Sequence, residues 1–365
     1  MLRLEPRKNR SNVLEISAPV IAVILTMVFG GLLFYLLGKN PFEAIKLIFW
    51  DPIMSPTFSD YSRPQLVVKA APLILIALGL SFGFRANIWN IGAEGQYIMG
   101  ALVSAAIGLA FYPLQAWYIF PLMIAGGILG GVIWAMIPAL LKIKFNTNEI
   151  LVSLMLVYVA EQILALASVG FLRNPDGLGF PGSRDLSKYQ SAANLELIPG
   201  TGIHFGVVAA FLGVVFLTYF LTYHRTGFQI KLIGQAPRAA KFAGVNLRYI
   251  IIFCLGLSGG LAGIAGMFEL TGPAGLINID FNVGYGFTAI IVAFLGRLHP
   301  IGILLAGLLM SLTYVGGELA QFMMSIPAAA IQVFQGMLLF FLLSTDLLVN
   351  YKITFTISSS RKRAD

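Results

Sequence analysis

The chain is organised around ten apolar stretches, each nearly free of Asp, Glu, Lys and Arg, at 16–38, 70–84, 95–112, 116–141, 150–172, 204–223, 249–268, 283–296, 301–317 and 327–349. A helix of about 20 apolar residues matches the hydrocarbon thickness of a bilayer, where every backbone N–H and C=O must be satisfied within the protein. The pattern predicts an all-α, polytopic membrane bundle of about ten spans. Stretches 70–84 and 283–296 are short for a crossing and read as broken or re-entrant helices. Stretch 16–38 exceeds a signal-peptide core and reads as a retained anchor. The expected organisation is one transmembrane domain over 1–365, with a cytoplasmic N-terminal segment 1–15, a bundle 16–349 and a cytoplasmic tail 350–365.

Composition agrees with lipid as the solvent. Charged residues make up 11% of the 365 and hydrophobic ones 58%, and the mean hydropathy is +0.85. Soluble domains carry about 25% charge, so a water-soluble enzyme is excluded. The formal charge of +8 would suggest a nucleic-acid polymer as partner in a soluble protein. Here it follows the loops instead. With both termini cytoplasmic, 17 of the 24 Lys and Arg fall in cytoplasmic segments, and nine of the 16 acids fall outside. Positive charge concentrates on the cytoplasmic side of membrane proteins, so the topology is N-in and C-in, with Arg361-Lys362-Arg363 as a cytoplasmic anchor and no nucleic acid as partner. The single Cys254 excludes an internal disulfide and a cysteine metal cluster.

Catalytic machinery is not legible. No G-x-x-x-x-G-K-[ST] phosphate loop occurs, and the one G-x-G-x-x-G match, Gly177, Gly179 and Gly182, lies in an outer loop without a preceding strand. The three histidines, His204, His224 and His299, are far apart. No catalytic residue, metal site or bound cofactor is expected. Glycines four apart, Gly127 and Gly131 in one span and Gly259 and Gly263 in another, let helix backbones approach closely in lipid.

Polar groups within apolar stretches are costly and mark a partner or a watery path. Two clusters stand out as translocation-pathway candidates: Asn87, Asn90, Glu94 and Gln96, and then Glu161 and Gln162 in the middle of 150–172. On the cytoplasmic side, 224–248 carries five basic residues and no acid. Within it, Pro237-Arg238-Ala239-Ala240-Lys241-Phe242-Ala243-Gly244 has proline where a helix starts and glycine where one ends. So short a helix needs something to dock on, either its own bundle or a separate subunit.

Three blocks together resemble the permeases of bacterial ABC importers for nucleosides and simple sugars: GFRANIWNIGAEGQYIMGA (83–101), GQAPRAAKFAGVN (234–246) and GYGFTAIIVAFLGRLHPIGI (284–302). NIWNIGAEGQ in place of the acidic D-L-S-x-G block of the ribose-type branch tilts the resemblance to the nucleoside branch. The resemblance implies a multi-pass permease of the bacterial inner membrane, working by alternating access. It would pair with a second permease chain, identical or homologous, receive solute from an external solute-binding lipoprotein, and couple to cytoplasmic ATPase subunits that hold ATP and Mg. The implied coupling residues are Gln235, Pro237, Arg238, Ala239, Ala240, Lys241, Gly244 and Asn246. The loop from Arg173 to Ile203 faces the binding protein by position. Two alternatives stay open: a sugar or other small polar solute, and a secondary transporter coupled to protons through Glu161.

Overall fold

The computed structural model describes residues 2–6 and 12–355, with side chains over 17–345. The tail bearing Arg361-Lys362-Arg363 lies outside the described residues, as do residues 1 and 7–11 of the N-terminal segment. The chain divides into two compact units, 1–55 with 315–365, and 56–314.

In the first unit, β1 (Leu2–Pro6) precedes α1 (Asn12–Leu36), α2 (Pro41–Phe49) and the single turn α3 (Asp51–Met54). The second unit contains α4 (Ser59–Arg85), α5 (Ala93–Ala110), α6 (Ile119–Phe145), α7 (Glu149–Val169) and α8 (Phe205–Tyr223), followed by α9 (Arg225–Gln235), α10 (Pro237–Phe242), α11 (Leu247–Thr271) and α12 (Tyr285–Leu295). The long helix α13 (Pro300–Met324) runs from the second unit into the first, which closes with α14 (Ala328–Asn350) and β2 (Tyr351–Phe355).

The helical class expected from the sequence holds, with one addition: β1 and β2 form a two-stranded antiparallel ribbon, Leu2 opposite Phe355 and Pro6 opposite Tyr351. In the first unit, Phe34 and Phe334 stack at 5.8 Å in an apolar cluster with Leu47, Ile48, Ile326 and Ile331. Asn40 starts α2, its side chain accepting from Phe42 N–H, with Pro41 at the first helical position.

Among the described residues, eight helices are long and apolar enough to cross a membrane. Two further helices, α5 and α12, fall on the remaining expected stretches. The 18-residue α5 carries Glu94 and Gln96 in its first turn, and α12, at 11 residues, rises about 16 Å against the roughly 30 Å of a bilayer core. The short stretch 283–296 is therefore a partial crossing, as expected. The short stretch 70–84 is not: α4 is 27 residues long and continues through Arg63, Pro64 and Lys69. Its most apolar window is 83% buried, so Lys69 faces protein and cavity rather than lipid, and a charge so placed does not end the helix.

The glycine rows do what their spacing suggests. A Cβ at Gly131 would strike the backbone oxygen of Gly259, and one at Gly263 that of Gly127. α6 and α11 thus touch backbone to backbone, and Gly100 of α5 meets Gly263 in the same way.

Candidate functional site

The clusters expected at Glu94 and Glu161 converge on one point, the N-terminus of α12. Glu94 is fully buried. Its Oε2 accepts from the N–H groups of Gly286 at 2.5 Å and Phe287 at 3.2 Å. These are orphan donors of the first helical turn, and a carboxylate there also meets the positive end of the helix dipole. Glu161, near the middle of α7, accepts from Asn282 Nδ2 at 2.8 Å, while Asn282 Oδ1 accepts from Gly284 N–H at 3.3 Å. Gly284 takes φ +83°, which a side chain would strain, and this turn delivers the chain into α12. The Oε1 of Glu94 and the hydroxyl of Tyr97, both buried, have no hydrogen-bond partner. Tyr97 stacks on Phe281 at 5.4 Å and meets Tyr285 edge-on at 6.0 Å.

Asn90 and Gln96 form a second, closed centre. Asn90 Nδ2 donates to Gln96 Oε1 at 2.8 Å and to Ser258 Oγ at 2.9 Å, and Gln96 Nε2 returns a bond to Asn90 Oδ1 at 3.2 Å. Gly92 N–H also donates to Asn90 Oδ1. Each is 1% exposed, so this pair holds the segment leading into α5 against α11 rather than facing a path. Asn87 sits apart, exposed, with φ 56°, and donates to the carbonyl of Gly234 at 3.0 Å. It ties the end of α4 to the end of α9. Gln162 points outward from α7.

Above the Glu94 centre two cavities open that share Gln65, Val68 and Pro273. The inner one, about 350 Å³, is lined by Lys69, Glu269, Phe281 and Tyr285. The outer, about 420 Å³, is lined by Tyr61, Asn194, Glu196, His204 and Thr271. His204 lies one residue outside the apolar span of α8. Its Nδ1 accepts from Gly206 N–H and from Asn194 Nδ2, both at 3.0 Å, which leaves the proton of the neutral ring on Nε2. Burial pushes this imidazole down to about 4. The outer loop that supplies Asn194 is knitted to the segment after α11 by Ser183 N–H to Ile277 O, Leu186 N–H to Gly275 O and Asn194 N–H to Thr271 O. Polar groups therefore run from the outer loop through Gln65, Lys69 and Glu269 to Tyr285, Tyr97 and Glu94.

At the other end, the expected cytoplasmic helix is present as α10. Pro237 occupies its first position, and Gly244 (φ +74°) takes the left-handed conformation past its end. Val245 N–H bonds Ala240 O and Gly244 N–H bonds Lys241 O, the paired closure of a Schellman turn. Only Ala240 is buried; Pro237, Arg238, Ala239 and Lys241 are exposed. Gln235 ends α9, and Asn246 caps α11 by accepting from Tyr249 N–H at 3.3 Å.

Several residues were missed from sequence. Tyr97, Asn282, Lys69 and Glu269 looked like span filler or span ends. Phe242, 95% exposed on α10, read as part of a helix motif rather than as a contact. An aromatic inside a basic, acid-free cytoplasmic segment was the available signal.

The polar centre thus lies inside an apolar helical bundle, where the short helix α12 meets α5 and α7. The chain belongs to the family described as branched-chain amino acid transport system, permease component, whose pattern matches residues 62–343. It is 31% identical to a glucose ABC transporter permease of Haloferax volcanii over 96% of this chain and 93% of that one. It is 26% identical to a guanosine ABC transporter permease of Bacillus subtilis over 94% and 96%. A nucleoside ABC transporter permease of Lactococcus lactis is likewise 26% identical, over 90% of each chain. No solved structure matches. The chain is thus a multi-pass membrane permease, the transport subunit of a system whose ATPase is a separate chain. The family works with cytoplasmic ATPase and solute-binding partners, and this sets aside the proton-coupled alternative for Glu161.

Proposed function

We propose that the chain is one of two permease chains of an ATP-driven importer and passes nucleosides inward by alternating access. The observation that carries the solute class is the relationship, over nine-tenths or more of each chain, to permeases named for guanosine and for nucleosides. The chemistry along the cavities suits such a solute. Phe281 and Tyr285 line the inner cavity as aromatic surface for a base, backed by the buried Tyr97, while Gln65 and Asn278 line the same cavity as polar partners for a ribose. A pathway of modest, exchangeable hydrogen bonds admits and releases a neutral solute. Asn87, Asn90, Gln96, Glu161 and Gln162 belong to this reading as framework of the path, and Glu94 as the group that holds α12 at its centre.

Coupling is assigned to the segment Gln235, Pro237, Arg238, Ala239, Ala240, Lys241, Gly244 and Asn246, joined by Phe242. The exposed cations and the exposed ring fit a groove on an ATPase subunit, which would hold ATP and Mg. Asn87 links the end of α4 to this segment through Gly234, a direct route from coupling helix to pathway. An external solute-binding lipoprotein would dock on the ordered outer loop.

A second reading, a simple sugar as solute, is favoured by the 31% identity to a glucose permease. The ATPase coupling is tested by Arg238→Glu combined with Lys241→Glu. The double variant should insert normally, fail to co-purify with the ATPase and lose uptake. Normal uptake by that variant refutes the coupling assignment.

A further inference from the structure

At the cytoplasmic end of the second unit a cavity of about 330 Å³ is lined by Arg85, Lys231 and His299, with no acid in its wall. None of the three takes part in an ion pair among the described residues. Arg85 commits only its Nε, donating to Leu298 O at 3.0 Å, so both terminal amino groups of its guanidinium stay uncommitted. Burial, and then the charge of Arg85, hold the His299 imidazole below its ordinary value, and it lines the cavity beside that cation. Two helix starts reach the same cavity. Gly227 and Phe228 belong to the first turn of α9 and Pro300 opens α13; Pro300 has no N–H and the Phe228 N–H is bonded to His224 O, so the side chains of Arg85 and Lys231 supply the donors for an anion.

The rim says which anion. Leu221, Thr222 and Phe228 line the cavity, and α8, which supplies the first two, is only 22% buried over its apolar window. Phe211, Val215, Phe216 and Tyr219 are exposed along α8, and Tyr223 and Phe228 are exposed beside the cavity. Aromatic side chains collect at the membrane–water boundary, so the cavity opens where a headgroup would sit, with an outward apolar helix beside it for acyl chains.

We infer that Arg85, Lys231 and His299 form a binding site for the phosphate of an anionic phospholipid whose acyl chains lie along α8. Basic pockets on the cytoplasmic side of a bundle attract anionic headgroups, each basic residue contributing about 1 kcal/mol. Removing two charges is therefore worth about thirtyfold in affinity.

The test is native mass spectrometry of the full chain co-purified with its partner subunits, titrated with phosphatidylglycerol, phosphatidylcholine or inorganic phosphate. The wild type should bind phosphatidylglycerol in preference to phosphatidylcholine. Arg85→Gln with Lys231→Gln should lose that preference by about thirtyfold. The single Lys231→Gln, at an exposed position, should lose part of it while keeping the same elution profile, and Arg173→Gln on the outer loop should lose none. Equal binding of the two lipids overturns the site, as does an unchanged preference in the double variant. Displacement by inorganic phosphate at matched concentration makes the ligand a free anion and overturns the lipid. A preference that appears only after the ATPase is stripped away assigns the cavity to a partner carboxylate and overturns it too.

Discussion

Truncation of Glu94 removes the acceptor of two N–H groups in the first turn of α12. In Glu94→Ala the N–H groups of Gly286 and Phe287, now at 2.5 and 3.2 Å from Oε2, lose their acceptor inside the protein. A hydrogen bond to a charged group contributes about 1.5–3 kcal/mol. With both bonds counted at the lower end, the pair sums to about 3 kcal/mol. With a specific unfolding entropy of about 2.1 cal/mol/K per residue over 365 residues, this lowers the apparent melting temperature by about 4 °C. Glu94→Gln keeps an acceptor oxygen, and its amide takes the place of Oε1, which has no partner; it should lose about 1 kcal/mol. The assay is thermal unfolding followed by fluorescence-detected size exclusion, with uptake measured on the same preparations. The Ala variant should be both less stable and inactive, the Gln variant close to wild type in stability. A Glu94→Ala protein that melts within 1 °C of wild type, where about 4 °C is expected, refutes the capping role.

Packing and pH give two further outcomes. Gly131→Leu drives a side chain into the backbone of Gly259, where overpacking costs about 1–3 kcal/mol or more; it should lose its monodisperse elution peak, while Gly336→Leu, with open space around it, should keep it. His204, whose imidazole burial lowers from 6.5 to about 4, contributes stability that is complete above pH 6.5 and is lost as the pH falls toward 4. The full effect is about 3 kcal/mol, and the melting temperature of His204→Asn should fall less over that window than that of the wild type.

The bundle was legible because lipid imposes one rule on every span, and the glycine rows were legible because close packing in lipid has a spacing. α10 was legible from Pro237 and Gly244 alone, since both ends of a short helix are written in its sequence. The extent of α4 was not. Lys69 reads as the end of a span until Glu269 and the cavity they line together are seen. Glu94 and Glu161 were visible as misplaced charges, but their convergence on α12 depends on residues 192 and 121 positions away, a fact of tertiary structure. Polarity alone also grouped Asn90 and Gln96 with them, although their bonds close on each other and on Ser258.

The central claim is ATP-driven import of a nucleoside. It is tested most directly by uptake of radiolabelled adenosine in cells lacking other nucleoside uptake, with the chain expressed beside its neighbouring genes and the ATPase either intact or inactivated. Excess glucose or ribose serves as competitor. The account predicts uptake that requires the active ATPase and is unaffected by either sugar. Uptake that persists without the ATPase, or that glucose or ribose suppresses, contradicts it.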